Sequence, residues 1–194
     1  MNNNLSFITN EENQSLKERF RTLIKDTSFF DCLVGYFYSS GFYAVYPALE
    51  NTDKIRILIG IGTNRQTFDM MEQANKQSQQ TFDFSHAETK QEIENLVESE
   101  MADSEDNRNV EDGVHTFMDW INKGKLEIRA YPSQKIHAKL YIMTFKEGDR
   151  DNGRVITGSS NFTQSGLVDN LEFNVELQRP EDYNFALKKF NELW

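Results

Sequence analysis

Short apolar runs alternate with amphipathic segments along most of this chain, and this alternation is the feature that most restricts its fold. The apolar runs predict six strands, at 31–38, 54–61, 125–131, 136–145, 153–158 and 171–179. The intervening segments predict helices at 10–25, 39–50, 66–80, 86–102, 110–123 and 181–194. Strands that alternate with helices indicate an α/β fold, here a mixed β-sheet sandwiched between helices in αβα layers.

The run 136–145 has the alternation of a strand with two different faces. One face would carry Ile136, Ala138, Leu140 and Ile142, and the other His137, Lys139, Tyr141 and Met143. The polar stretch "FKEGDRDNGR" at 145–154 follows, with Gly and Asp-Asn-Gly turn chemistry. It predicts a hairpin that joins two antiparallel strands, with the apolar face of 136–145 toward the core.

Length and punctuation predict a single domain over 1–194. A chain of 194 residues can bury one sizeable core, and it contains no repeat and no low-complexity linker that would divide it. The amphipathic segment 181–194 ends abruptly on Trp194. The chain is therefore either complete at that point or a domain excised from a longer protein.

The charge balance limits the partners that the whole surface could attract. There are 31 acidic and 21 basic residues, for a formal charge of -10, so broad affinity for polyanions is not expected, although a local basic cleft remains open. The acidic run at 88–112 is interpreted as a solvated helical face.

The N-terminal twenty residues show no cationic segment followed by an apolar one, and no run is long enough to span a bilayer. The only cysteine, Cys32, lies in an apolar run and is predicted to be a buried thiol. We therefore expect a cytoplasmic protein with no membrane contact.

Three groups of polar residues interrupt the apolar pattern. On a strand, His137 and Lys139 would share one face about 6 to 7 Å apart and could bind an anion. The turn "GSSN" at 158–161 offers hydroxyl and amide donors, and Glu172 is a carboxylate that needs a partner on an apolar strand. Taken singly, the first is typical of a half-exposed strand and the second of an ordinary turn or helix cap.

Taken together, these groups resemble the catalytic motif of the phospholipase D superfamily. That motif is H-x-K-x4-D, then G-S-x-N, then a Glu or Gln, and here Glu172 follows Ser159 by thirteen residues. The Asp of the pattern is replaced by Thr144, and a polar hairpin lengthens the interval between the first two parts. This departure weakens the interpretation as a phospholipase more than the interpretation of the fold, which the resemblance implies to be the phospholipase D and nuclease type.

The resemblance implies a two-step phosphoryl transfer that needs no metal and no cofactor. His137 would attack phosphorus and form a phosphohistidine, while Glu172 would accept a hydrogen bond from its other ring nitrogen. Lys139, Ser159 and Asn161 would hold the non-bridging oxygens. The residues expected to contact substrate are Gly158, Ser160 and Arg154.

A second histidine is needed to protonate the leaving oxygen, and this chain has only one H-x-K. The other histidines, His86 and His115, are interpreted as residues on helix surfaces. The resemblance therefore implies a homodimer in which two copies of His137 complete one site.

The expected substrate is nucleic acid, with DNA favoured, because basic residues cluster near the motif in sequence: Arg129, Lys135, Lys139, Lys146, Arg150 and Arg154. Single-motif relatives look like bacterial nucleases, including domains of restriction enzymes and the N-terminal modules of DEAD/DEAH-type helicases, so a C-terminal helicase domain would be the partner in a longer protein. Two alternatives remain: a non-catalytic DNA-binding or dimerisation module of a helicase, and a lipid hydrolase.

Two other signals have plainer interpretations. Gly60 and Gly62 follow a strand, but the sequence "LIGIGTNRQTFD" at 58–69 lacks both phosphate-loop patterns, so a strand-to-helix turn is favoured. The aromatic residues between 29 and 46 could stack on bases, but core packing is the preferred explanation for most of them.

Overall fold

The computed structural model of the chain describes residues 7–11, 15–35, 37, 39–60, 108–131, 136–148 and 151–194. The helices predicted at 66–80 and 86–102, the loop after Gly60, His86 and most of the acidic run lie outside the described residues. So do Lys135 and Arg150.

The described elements follow one another in the order β1 (Phe7–Ile8), α1 (Leu16–Ile24), β2 (Thr27–Val34), α2 (Ser39–Leu49), β3 (Lys54–Ile59), α3 (Arg108–Asn122), β4 (Leu126–Ala130), β5 (Lys139–Phe145), β6 (Gly153–Gly158), a π-helical turn (Ser165–Asp169), β7 (Asn174–Leu177) and α4 (Pro180–Leu193). Local sequence explains two of the helix starts. Ser15 accepts a hydrogen bond from the backbone N–H of Glu18 as the N-cap of α1, and Pro180 occupies the first turn of α4, where a missing N–H costs nothing.

The seven strands form one mixed sheet in the order β1-β7-β6-β5-β2-β3-β4. Strands β2, β3 and β4 are parallel to one another, whereas each neighbouring pair from β1 through β7, β6 and β5 to β2 is antiparallel. The hairpin predicted at 145–154 is confirmed as the β5–β6 connection. The predicted α/β class with a mixed sheet is also confirmed.

Helices cover both faces of the sheet. Helices α1, α2 and α3 pack on one face, where their buried residues include Phe20, Phe42 and Phe117. Helix α4 packs on the other face through Tyr183 and Phe190. Two apolar interfaces with one sheet between them account for the layered architecture.

The central strand β5 is buried on both faces. Its alternation is as predicted: Leu140 and Ile142 point toward α4, and Tyr141 and Met143 point toward the three other helices. However, Tyr141 and Met143 are completely buried. The expectation that only the Ile136–Ile142 side faces the core is therefore wrong, because the second face is also covered by helices.

An ion pair crosses the α4 face of the sheet. Asp31 on β2 is fully buried and accepts two hydrogen bonds from the guanidinium of Arg56 on β3, at 2.6 and 2.8 Å. The guanidinium also stacks on the rings of Phe190 and Trp194. Burial raises the pKa of Asp31 above its usual value, and Arg56 opposes that rise.

Several boundaries differ from those predicted. Strand β2 was predicted at 31–38. It begins earlier, at Thr27, which pairs with Phe145, and it ends at Val34. Strand β5 begins at Lys139 rather than at residue 136. The two-residue strand β1 and the π-helical turn were not predicted, because neither is long enough to show a period.

Most aromatic residues between 29 and 46 that are described serve the core, as predicted. Phe30, Phe37 and Phe42 are buried, whereas Phe29 is 43% exposed. No helix in the described ranges is long and apolar enough to cross a bilayer.

Candidate active site

The strand order brings all parts of the motif to one edge of the sheet. Strand β5 is antiparallel to β2, with Lys139 opposite Val34, so β5 begins where the parallel strands end. Gly158 at the end of β6 is opposite Asn174 at the start of β7. The residues before β5, after β6 and before β7 therefore meet at the carboxyl ends of β2 and β3, which is where α/β sheets bind ligands.

His137 reaches this edge on a segment that crosses the ends of β2 and β3. At Gly60 a Cβ atom would lie 2.5 Å from the carbonyl oxygen of Ile136, so only glycine permits the crossing. A Cβ atom on Gly35 would lie 3.9 Å from both the Cα of His137 and Oδ1 of Asn161. His137 and Asn161 thus both lie close to Gly35.

His137 is exposed and precedes the strand, whereas Lys139 is the first residue of β5. The ammonium of Lys139 donates a hydrogen bond of 3.2 Å to the backbone oxygen of His137. The carbonyl of Lys139 in turn accepts a hydrogen bond of 2.8 Å from the Thr157 hydroxyl. His137 and Lys139 therefore lie close together, as predicted. They are held by these hydrogen bonds, and not by sharing one face of a strand, because His137 precedes β5.

Glu172 is held by Ser159. The Ser159 hydroxyl donates a short hydrogen bond to Oε2 of Glu172 and accepts one of 2.9 Å from the backbone N–H of Phe173. The expected bond between Glu172 and the His137 ring is not among the hydrogen bonds of the described residues. Ser159 thus connects the G-S-S-N turn to the segment before β7.

Ser160 lies underneath the turn and is fully buried. Its hydroxyl donates to the carbonyl of Gly166 at 2.7 Å and accepts from Nδ2 of Asn174 at 2.8 Å. Its carbonyl accepts from the hydroxyl of Tyr141 at 2.8 Å. The expectation that Ser160 contacts substrate is corrected by this burial: Ser160 anchors the turn from below.

Gly158 has a packing role at the same turn. A Cβ atom there would lie 2.2 Å from the carbonyl oxygen of Phe173, so glycine allows β7 to approach β6. This close approach explains why residue 158 is a glycine, without any contact to substrate.

Arg154 is not brought to the site. It lies four residues before Gly158 on β6, about 13 Å away along the strand. Its guanidinium is committed to the carboxylates of Asp151 at 2.5 Å and Glu176 at 3.5 Å. The structure therefore does not bring Arg154 to the site, and its contact with substrate stays a prediction.

The predicted cationic zone is also dispersed. Lys146 follows the far end of β5, about 23 Å from Lys139 along the chain. Arg129 on β4 stacks on Trp194 and donates to its carbonyl oxygen. Of the four described members of the cluster, Lys139 is the one at the site.

Thr144, which replaces the Asp of the motif, points away from the site. Its hydroxyl forms a hydrogen bond of 2.8 Å with the hydroxyl of Tyr183 on α4. At this position the residue joins the sheet to α4, which a threonine can do without a charge.

Two residues that support the site were not singled out from the sequence. Tyr141 and Asn174 both bond to Ser160, and burial raises the pKa of the Tyr141 hydroxyl well above its usual value, so it stays a neutral donor. Asn174 could have been recognised as a polar residue inside an apolar strand that needs a buried partner.

No three histidine, cysteine or carboxylate side chains of the described residues converge in a way that could hold a metal ion. His115 is exposed on α3, as predicted.

A family model and several solved structures resemble this chain. The family model described as "Cardiolipin synthase, PLD-like domain" matches residues 48–194. No curated protein has a sequence that matches the chain.

Solved structures share the fold at low sequence identity. Phosphatidylserine synthase from Haemophilus influenzae superposes with a TM-score of 0.52 and 16% identity, over 96% of this chain and 37% of the synthase. NucT from Helicobacter pylori gives a TM-score of 0.50 and 10% identity, over 92% of this chain and 86% of NucT. Nuc from Salmonella typhimurium, a phospholipase D family member, gives a TM-score of 0.48 and 17% identity, over 92% of this chain and 86% of Nuc. The chain thus spans little more than a third of the synthase.

Proposed function

The chain belongs to the phospholipase D superfamily, whose PLD-like domain it matches over residues 48–194, and we propose that it is a metal-independent nuclease whose site is completed by a second copy. Members of this superfamily are generally phosphodiesterases. The nuclease activity and the second copy are the parts of this proposal that go beyond the family.

One observation carries the proposal: a nucleophile and the donors for a phosphate are gathered at the sheet edge while their supports are buried. His137 is exposed beside Asn161, and Ser159 binds Glu172 in the neighbouring turn. Beneath them, Ser160 is completely buried and fully hydrogen-bonded. The buried hydrogen bonds hold the exposed groups in fixed positions, and catalysis uses donors that are positioned before the reaction starts.

The proposed reaction begins with attack of a neutral His137 nitrogen on the phosphorus of a diester. A P–N bond forms, the bond from phosphorus to the leaving oxygen breaks, and that oxygen takes a proton from a second histidine. Water then attacks the phosphorus of the phosphohistidine. The second histidine takes a proton from this water, and the P–N bond breaks. Lys139 and Asn161 stabilise the charge on the non-bridging oxygens.

The Ser159–Glu172 bond suggests how the carboxylate takes part. In the free protein the Ser159 hydroxyl donates to Glu172. A bound phosphodiester offers Ser159 another acceptor, and the released carboxylate of Glu172 then accepts the N–H of the His137 ring. That bond would fix the tautomer of the attacking histidine.

The second histidine is proposed to come from another copy of the chain. Among the described residues, His115 lies on the surface of α3 and has no lysine two residues later. A two-fold contact at the sheet edge would place two copies of His137 on either side of one phosphate.

DNA is the proposed substrate because the described residues at the edge are donors suited to a phosphate backbone. Lipid hydrolysis is a second candidate, favoured by Leu171 and Phe173, which are exposed on both sides of Glu172. A role as a module of a helicase or restriction enzyme stays a prediction, which the full-length gene product would test.

The proposal is tested by phosphodiesterase activity in EDTA, on bis-p-nitrophenyl phosphate, plasmid DNA and phosphatidylcholine micelles. We expect cleavage of the first two by the wild type and a loss of roughly 10⁴-fold or more in His137→Ala. His115→Ala is the matched control because it removes another exposed histidine. Activity that survives in His137→Ala, or that chelation abolishes, would contradict the mechanism. Cleavage of phosphatidylcholine alone would show that a lipid, and not DNA, is the substrate.

A further inference from the structure

An exposed apolar strip adjoins the candidate site. Leu171 is 64% exposed, Phe173 62% and Phe7 63%, and these are three of the five large apolar side chains that are exposed among the described residues. Leu171 and Phe173 flank Glu172 in the sequence. The strip is therefore defined as Phe7, Leu171, Phe173 and the half-buried Val175.

The pairing of the strands puts Phe7, Phe173 and Val175 on one face of the sheet. Ser159 donates its N–H to the carbonyl of Phe173 at 3.1 Å, which extends the β6–β7 ladder by one pair. Asn174 points to the face of α1, where it binds Ser160, so Phe173 and Val175 point to the opposite face. Phe7 on β1 is directly opposite Val175.

The same face of β7 continues under helix α4. Leu177 packs in the cluster formed with Tyr183 and Phe190, two residues beyond Val175. The apolar row on β7 therefore starts beneath α4 and becomes increasingly exposed toward the site edge. Nothing in the described part of the chain covers its outer end, where Leu171 and Phe173 lie.

We propose that this strip is the centre of the contact with a second copy of the chain. This inference rests on the proposed function. If the site needs a second His137, the protein that covers the strip is another copy of the same chain. The contact must lie next to the site, and the strip does so: Leu171 and Phe173 are covalent neighbours of Glu172, and Phe173 bonds through its backbone N–H to Ser159.

The chemistry of the strip fits a two-fold contact between proteins. Aromatic residues are enriched in the buried centre of interfaces, whereas charged residues surround it. A stable dimer buries about 800 Å² on each partner. The strip is smaller than that, so it forms the apolar centre and the polar edge around Glu172 and Ser159 forms part of the rim.

The test compares Leu171→Asp/Phe173→Asp with Phe185→Asp in the otherwise intact chain. Phe185 is 66% exposed on α4, so it is the matched control for adding a charge in place of an exposed phenylalanine. Sedimentation should give a dimer for the wild type and for Phe185→Asp, and a monomer for the double variant. Specific activity of the double variant should fall at least tenfold at low protein concentration and rise as the protein is concentrated. A double variant that stays dimeric overturns the inference.

A second measurement does not depend on disrupting the surface. Cys32 is completely buried, so a cysteine introduced by Phe173→Cys would be the accessible thiol among the described residues. A short bismaleimide linker should convert Phe173→Cys, but not Phe185→Cys, into a covalent dimer. Equal cross-linking of the two variants, or none with Phe173→Cys, contradicts the proposed contact.

These results separate the two proposals. If the wild type is a dimer that cleaves DNA and the double variant also stays dimeric, the shared site stands and the strip is not its contact. If the double variant becomes monomeric but the wild type cleaves no phosphodiester, the contact stands and the nuclease function fails. A wild type that is monomeric and fully active contradicts both.

Discussion

Glu172 and Glu176 lie four residues apart on the same segment, yet their surroundings differ in kind. The side chain of Glu176 is 1% exposed and binds Arg19 through two hydrogen bonds and Arg154 at 3.5 Å. Glu172 is only partly buried, and its bond among the described residues comes from a neutral hydroxyl of Ser159. A carboxylate with saturated ionic partners stabilises a fold, whereas one held by a single exchangeable donor is available for chemistry.

The largest difference is expected when each glutamate is replaced by alanine. Glu176→Ala leaves the two arginines without their buried partner, so the free energy of unfolding should fall by about 3–5 kcal/mol. Glu172→Ala should cost about 0.5–1.5 kcal/mol, because it removes one hydrogen bond near the surface. Urea denaturation measures both values.

Activity should show the reverse order. We expect Glu172→Ala to lose roughly 10²-fold or more in kcat, because the orientation of His137 is lost. Under conditions where Glu176→Ala is still folded, its kcat should remain close to that of the wild type. Equal losses of activity in the two variants would mean that the two carboxylates do not have separate roles.

The same contrast exists between two adjacent serines, with smaller effects. Ser160→Ala leaves the buried amide nitrogen of Asn174 without its acceptor and removes one of the two side-chain donors to the carbonyl of Gly166, at a cost of about 1–3 kcal/mol in unfolding free energy. Ser159→Ala should lower kcat by roughly 10²-fold because it removes a donor to the phosphate, with little change in stability. Denaturation and kinetics on the same two samples check this pair, and a more stable Ser160→Ala would contradict the buried role of that serine.

Much of the site could be predicted because its parts are fixed by short-range patterns. The hairpin at 145–154 and the strands around it show clear alternation, and antiparallel pairing then brings His137, Ser159 and Glu172 to one edge. The family resemblance rests on H-x-K, G-S-x-N and Glu172 in that order, with thirteen residues from Ser159 to Glu172.

Other features depend on register and distance, which the sequence does not display. Ser159 and Ser160 look alike in "GSSN", and only the pairing of β6 with β7 decides which of them is buried. Arg154 and Lys146 are close to the motif in sequence, but they lie at the far ends of their strands. Strand β1 pairs with β7 from more than 160 residues away and has two residues, too few for a pattern.

The most direct test of the shared half-site is to mix wild-type protein with His137→Ala and allow the subunits to exchange. With a fixed amount of wild type and a ninefold excess of the variant, about one wild-type subunit in ten meets another one. The account therefore predicts that DNA cleavage in EDTA falls to roughly a tenth of the value for the wild type alone. Cleavage that is unchanged by the excess of His137→Ala would show that one chain carries a complete site, and it would contradict the account.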